Sequence, residues 1–126
     1  MLPQVTSPFR NPEDLQTAVK MLCSDASVDA VISAVDLHRT GASPFVRNAT
    51  MLKALGSASD SPVVTRNCSF YVIWVGCFKR GQTFYPARMA AVTMGLVHSI
   101  DIDTQEDFEV AEAIVAQRNC VRGARG

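Results

Sequence analysis

Residues 68–75, CSFYVIWV, are the most β-prone stretch of the chain. They combine aromatic and β-branched residues in a short run, which is typical of a central strand. Residues 28–35, VDAVISAV, are a second short run rich in β-branched residues and favour a strand that is buried on both faces. The two stretches predict the middle of a sheet.

A helix is predicted between the chain start and residues 28–35. Asn11 is a good N-cap residue, Pro12 suits the first helical position, and two acidic residues follow in the first turn. Leu15, Val19 and Leu22 recur at helical spacing. We expect a helix that buries this stripe and ends near residues 24–25.

The last helix is predicted from a capping box. Thr104 is followed three residues later by Asp107, and Phe108, Ala111 and Ile114 then repeat at helical spacing. We expect this helix to end near residue 118. The chain then divides into one domain, residues 1–118, and a frayed tail, residues 119–126.

The remaining segments give weaker signals. Residues 38–44, 56–62 and 78–86 are predicted to be loops, residues 50–55 a short helix, and residues 92–98 a short strand. Strands that alternate with helices indicate a three-layer α/β fold with a mostly parallel sheet.

The amino-acid composition argues against two classes of partner, nucleic acid and membrane. The 126 residues carry no formal net charge and their cations are scattered, so we expect neither a nucleic-acid nor a membrane partner. The longest apolar run, residues 70–78, is shorter than the about 20 residues that span a bilayer. No export signal starts the chain, so a cytoplasmic protein with free cysteines is expected.

Asp101 and Asp103 are candidate metal ligands. In an extended segment they point to one side, while Ile100 and Ile102 point to the other. Two carboxylates on one face suit a hard cation such as magnesium. The alternative is a solvated strand end at which one carboxylate assists the following helix cap.

Two further segments have both a functional and a structural interpretation. Residues 4–8, QVTSP, lie where loops of open α/β sheets hold ligands, but their hydroxyl groups also suit local turn contacts. Phe84 and Tyr85 could form a flat wall for a sugar ring, or a small hydrophobic cluster under a loop.

Three segments together resemble the CMP-sialic acid synthetases, the acylneuraminate cytidylyltransferases. They are residues 4–14 (QVTSPFRNPED), 67–72 (NCSFYV) and 99–107 (SIDIDTQED), which match the family in order and spacing. The resemblance covers essentially the whole chain. It implies the C-terminal part of a sheet of the nucleotide-diphospho-sugar-transferase type, without its N-terminal strands.

The resemblance also implies residue roles. Gln4, Asn67 and Tyr71, together with the aromatic pair Phe84 and Tyr85, would bind substrate. Asp101 and Asp103 would be the catalytic residues that hold magnesium. The complete enzyme would join CTP and N-acylneuraminate or a related nonulosonic acid into a CMP-sugar, releasing pyrophosphate, and family members are usually homodimers.

The chain departs from the family pattern at three places. The family's phosphate-binding loop, L-x-A-R-x-G-S-K, is not in the sequence, and the segment between Pro44 and Asn67 is short. Cys68 replaces a glycine that could let substrate approach the backbone. We therefore expect a fragment that is inactive by itself; the alternative is a non-catalytic paralogue that acts as a binding or oligomerisation module.

Overall fold

The computed structural model describes residues 1–37, 45–48, 51–54 and 63–123, with side chains for residues 1–37 and 63–121. The predicted loops at residues 38–44 and 56–62 lie outside the described residues. In chain order the elements are β1 (Leu2–Pro3), α1 (Pro12–Ser24), β2 (Ala30–Asp36), β3 (Phe45–Asn48), β4 (Met51–Ala54), β5 (Val64–Ile73), α2 (Val75–Gly81), β6 (Met89–Met94), a 3₁₀ turn (Val97–Ser99) and α3 (Gln105–Gly123).

The fold is α/β, built on a mixed sheet in the order β1-β5-β2-β6. Strand β5 runs antiparallel to β1 and β2, while β2 and β6 are parallel. The prediction of a mostly parallel sheet is therefore wrong. The chain between β2 and β5 contains the antiparallel β3–β4 hairpin, whereas parallel neighbours are usually joined by a crossover helix.

Helix α1 covers one face of the sheet. Its Asn11 cap accepts a hydrogen bond from the Glu13 backbone N–H, as predicted. Ala18 and Leu22 are buried and pack in one core with Phe70 and Met94. Val19, which the sequence placed on the buried stripe, is exposed instead. The helix therefore buries a stripe turned slightly from the predicted one.

The opposite face is covered beside β5. Tyr71 alternates with the core residue Phe70 and is itself buried. Its ring packs against Phe84 at 5.4 Å between ring centroids, and Phe84 in turn packs against Phe78 of α2. Because both faces are covered here, the arrangement is compatible with the predicted layered fold.

Strand β5 is interrupted by a bulge. The register with β2 moves from Ile32 opposite Tyr71 to Ala34 opposite Arg66. At this point the Ser33 hydroxyl accepts a hydrogen bond from Phe70 N at 2.9 Å, which supplies a partner for a backbone group inside the sheet. The bulge thus explains why a serine is buried in an otherwise apolar strand.

Cys68 lies in this bulge with φ 57°, in the left-handed region. A residue with a Cβ pays roughly 1–2 kcal/mol for this conformation, which glycine adopts freely. The resembling family has glycine at this position. The left-handed backbone explains why glycine would be favoured there. The sequence suggested substrate approach instead.

Cys68→Gly is expected to raise the free energy of unfolding by about 0.5–1 kcal/mol, because relief of strain exceeds the added flexibility of the unfolded chain. Urea denaturation measures the change. Cys68→Ala is the matched control, since it removes the thiol and keeps the Cβ. Equal stability of the glycine and alanine variants would contradict the account.

Several elements differ from their predictions. Residues 51–54, within the predicted helix of residues 50–55, form β4 instead, because they pair with β3 and so short a helix is marginal by itself. Helix α2 replaces a predicted loop; its N-cap Trp74 offers no side-chain cap, so the sequence lacks a start signal. Strand β6 begins and ends earlier than residues 92–98, and α3 continues past residue 118 to Gly123.

Asp29, directly before β2, makes hydrogen bonds to the start of α2 and to the residue before β6. Its carboxylate accepts two hydrogen bonds from Arg88, at 2.8 and 2.6 Å, and one from the Cys77 thiol of α2 at 3.3 Å. Its backbone oxygen accepts from Trp74 N at 3.3 Å. The hydrogen bonds from Arg88 and Cys77 lower the pKa of Asp29 from 3.8 to about 2.

Acid is therefore expected to weaken the fold through Asp29. Its folded pKa lies below its unfolded value, so its contribution is complete above about pH 4 and is lost as the pH falls towards 2. Thermal unfolding measured from pH 6 to pH 2 tests this. Asp29→Asn should show a smaller loss of Tm over that range, whereas parallel pH profiles would contradict the assignment.

Candidate functional site

The three segments that resemble the cytidylyltransferases meet in space at a polar junction. Gln4 N donates to the Ser69 carbonyl at 3.0 Å, and Ile102 N donates to the Thr6 carbonyl at 2.9 Å. The Ser7 hydroxyl donates to Asp101 Oδ1 at 3.1 Å. The segment of residues 4–8 therefore lies between β5 and the aspartate segment and holds both.

Arg10 ties the junction together. Its Nη1 donates to the Gln4 carbonyl at 2.8 Å and to the Ser69 carbonyl at 2.9 Å. A guanidinium that bridges two carbonyls fixes their separation through charge-assisted hydrogen bonds. Arg10 was not predicted as a site residue; the only signal for it in the sequence is its place in the resembling segment of residues 4–14.

Two serines of the junction are inaccessible. Ser7 is 1% exposed and Ser69 is fully buried. The Ser7 hydroxyl donates to Asp101, while the Ser69 hydroxyl has no hydrogen-bond partner within the described part of the chain. The structural interpretation of residues 4–8, in which hydroxyls satisfy local backbone groups, is wrong for Ser7, because its partner is a side chain far along the chain.

Asn67 is held by internal contacts. Its Nδ2 donates to the Ser99 hydroxyl at 2.8 Å, and its Oδ1 accepts from Ser69 N at 3.3 Å. It is only 8% exposed. These contacts link the bulge of β5 to the turn before the aspartates, so Asn67 positions the site, and its contact with substrate remains a prediction.

Tyr71, Phe84 and Tyr85 form one aromatic cluster. The rings of Tyr71 and Tyr85 meet edge to face at 5.8 Å, and their hydroxyl oxygens are 3.1 Å apart. Arg66 donates to the Tyr85 hydroxyl and lies over its ring. Two alternative roles were predicted for Phe84 and Tyr85, a sugar wall or a hydrophobic cluster, and the packing agrees with either.

Tyr71 gives the aromatic cluster a hydrogen-bond donor that keeps its proton. Burial, together with the hydrogen bond to Tyr85, raises the pKa of the Tyr71 hydroxyl above its usual value of 10. Tyr71 therefore keeps its proton at neutral pH and can donate to an oxygen-rich ligand. Arg66, which the sequence analysis missed, adds a positive charge beside it.

The aspartate pair occupies an irregular segment before α3. Asp101 is half-buried and Asp103 is exposed. The Asp103 backbone N–H donates to the Asp107 carboxylate at 3.1 Å, and Asp107 also exchanges hydrogen bonds with Thr104, as the capping box predicts. The contacts with Thr104 and Asp103 lower the pKa of Asp107. Asp107, rather than either predicted ligand, therefore serves the cap.

The aspartate pair could supply two of the oxygen ligands that magnesium takes, the others coming from water and substrate phosphates. Within residues 1–37 and 63–121, no group of three or more His, Cys, Asp or Glu side chains could hold a metal ion. The assignment of Asp101 and Asp103 to a metal remains a prediction.

Among the described helices, none is long and apolar enough to cross a membrane. No protein-family model matches the chain, and a search of curated proteins finds no match either.

Proposed function

We propose that the chain is the C-terminal part of a cytoplasmic cytidylyltransferase that activates N-acylneuraminate, or a related nonulosonic acid, with CTP. The products would be a CMP-sugar and pyrophosphate. The observation that carries the proposal is the polar junction, in which residues 4–8, the β5 bulge and the aspartate segment are joined by direct hydrogen bonds. The junction brings the three resembling segments together, as a common site requires.

The bulge gives the resemblance a physical reason. The left-handed backbone at position 68 favours glycine over cysteine. The resembling family has glycine at this position. The asparagine before it is tied to Ser99, directly before the aspartate segment. The first feature is a backbone requirement, and the second is a side-chain hydrogen bond between two of the resembling segments.

The aromatic cluster and the aspartate pair each have a proposed role. The aromatic cluster, with protonated Tyr71 and Arg66, would bind the acid sugar, since an apolar wall edged by donors suits a carboxylated polyol. Gln4 would orient the sugar from the neighbouring strand end. Asp101 and Asp103 would face the nucleotide phosphates.

In the reaction, the anomeric hydroxyl of the sugar attacks the α-phosphate of CTP, and the bond to pyrophosphate breaks. Asp101 and Asp103 would hold magnesium, which would supply positive charge to neutralise the phosphate oxygens. Ser7 fixes the Asp101 carboxylate by donating to one of its oxygens. Arg10 and Asn67 hold the backbone on which these groups are mounted.

A non-catalytic binding or oligomerisation module is the second candidate. It is favoured by α3, most of whose apolar residues are exposed. Activity distinguishes the two candidates once a phosphate-binding half of the resembling family is added. For this purpose we define the chimera as the present chain fused after the N-terminal, L-x-A-R-x-G-S-K-containing half of a CMP-sialic acid synthetase.

In the chimera, Tyr71→Phe is expected to raise the KM for the sugar by about 10-fold and leave the KM for CTP unchanged, because one donor to the sugar is lost. Phe78→Leu is the control, since it alters the apolar packing beside the cluster and removes no hydroxyl. A larger effect on CTP than on the sugar would show that the aromatic cluster belongs to the nucleotide side.

A further inference from the structure

An apolar pocket lies beside the aromatic cluster, on the side towards α2. It has a volume of about 260 Å³, and its lining residues are all apolar: Met1, Leu2, Ile73, Val75, Phe78 and Phe84. Val75 is 67% exposed and Leu2 is 41% exposed, so the pocket leaves apolar surface in contact with water. An apolar group that covers this surface is favoured by the hydrophobic effect.

The pocket and the proposed sugar site share one face of the sheet. Leu2 lies opposite Tyr71 in the pairing of β1 with β5, so their side chains point to the same side, away from Phe70 and α1. Ile73 comes two residues after Tyr71 on β5 and therefore lies on that side as well. Since two strand residues rise by about 7 Å, the pocket extends about that far along β5 from Tyr71.

Phe84 joins the two sites. Its ring packs against Tyr71 at 5.4 Å and against Phe78 at 4.8 Å between ring centroids, and it also lines the pocket. Gln4 lies at the other end of Tyr71, because its backbone N–H donates to the carbonyl of Ser69, two residues before Tyr71. A ligand that rests on Tyr71 and Phe84 therefore meets a polar end at Gln4 and an apolar end at the pocket.

The size and lining of the pocket define the group that fits it. Pockets that hold a whole small molecule measure about 300–1,000 Å³, so this one suits a single substituent of a larger ligand. None of its lining residues is charged, so the substituent is apolar. An acetyl group ends in one methyl and is too short to extend about 7 Å beyond Tyr71.

We propose that the pocket receives the N-acyl chain of the acid sugar, and that the preferred substrate carries an acyl chain longer than acetyl. The inference rests on the proposed function, because it extends the sugar site along the same face of the sheet. It adds the chemical class of the substituent and assigns the pocket residues, of which Val75 and Phe78 belong to α2, to its recognition.

Isothermal titration calorimetry of the 126-residue chain compares N-acetylneuraminate with its N-hexanoyl analogue, which adds four methylene groups. The N-hexanoyl sugar is expected to bind at least about 10-fold more tightly, because the added methylene groups leave water. Val75→Asp, which puts a carboxylate at the pocket, should bring the two Kd values to within about 2-fold of each other. Val75 is exposed in the first turn of α2, where an acidic residue suits the helix dipole, so the fold is kept.

Val110→Asp is the matched control. It makes the same change at a position of α3 that is 54% exposed and does not line the pocket, so the preference for the longer chain should remain. Val75→Phe fills the pocket without adding a charge and should also remove the preference. Equal affinities of the unaltered chain for the two sugars, or a preference that survives in both Val75 variants, would overturn this inference alone. Binding of neither sugar would contradict the sugar site itself, and the pocket with it.

Discussion

Asp103→Ala is expected to lower the turnover of the chimera by about 100-fold or more, because an enzyme that transfers a nucleotidyl group depends on charge stabilisation at the phosphates. Asp103 is exposed, and its backbone N–H, which contacts Asp107, is kept in the variant. The fold should therefore be unaffected. Steady-state kinetics at saturating magnesium and CTP measures the loss, and thermal unfolding checks the fold.

Glu109→Ala is the control for this prediction. Glu109 is an exposed acidic residue of α3 a short distance along the chain, so its removal changes the net charge by the same amount. Its turnover should match that of the unaltered chimera. Undiminished magnesium-dependent turnover in Asp103→Ala would remove the metal role from Asp103.

Phe70→Ala is expected to lower the free energy of unfolding by about 3–5 kcal/mol, which is the usual cost of emptying a fully buried phenylalanine site. Phe70 has no exposed surface and lies in the core between β5 and α1. Since small domains are stable by only about 5–15 kcal/mol, the variant should be largely unfolded at modest urea concentrations.

Urea denaturation followed by circular dichroism measures this change. Phe78→Ala removes the same group from a site that is 36% exposed and should cost clearly less. Equal losses in the two variants would show that the sheet face against α1 is not the main core.

The sequence predicted the elements whose signals are local. Helix α1 has its Asn11 cap and Pro12 start, and α3 has the Thr104 and Asp107 box, so both starts were correct. Strands β2 and β5 were found from β-branched and aromatic runs. In each case the residues from which the element was predicted also form its cap or its strand pairing.

The direction of β5 could not be predicted, because it depends on how the chain travels between β2 and β5 and not on the strand's own residues. Helix α2 was missed for a related reason. It begins at Val75 without a capping side chain, and Gly76 read as the end of a strand. Local sequence patterns predict an element only where its own residues carry a cap or a periodic apolar pattern.

The candidate site was predictable in part. Tyr71, Phe84 and Tyr85 do lie together, as their implied common role requires. Arg10 and Arg66 were missed because each acts through a contact distant in sequence, Arg10 on the Ser69 carbonyl and Arg66 on the Tyr85 hydroxyl. Long-range contacts of this kind leave no periodic or motif signal.

The assay that tests the central claim most directly is CMP-sugar formation by the chimera with CTP, magnesium and N-acetylneuraminate. Pyrophosphate and CMP-sugar are followed together, and the Asp101→Asn/Asp103→Asn chimera and the 126-residue chain alone are run in parallel. The account predicts turnover by the chimera and none by the two comparisons, since both the phosphate-binding loop and the aspartates are needed. A folded chimera that binds CTP yet forms no CMP-sugar from N-acetylneuraminate or other nonulosonic acids would contradict it.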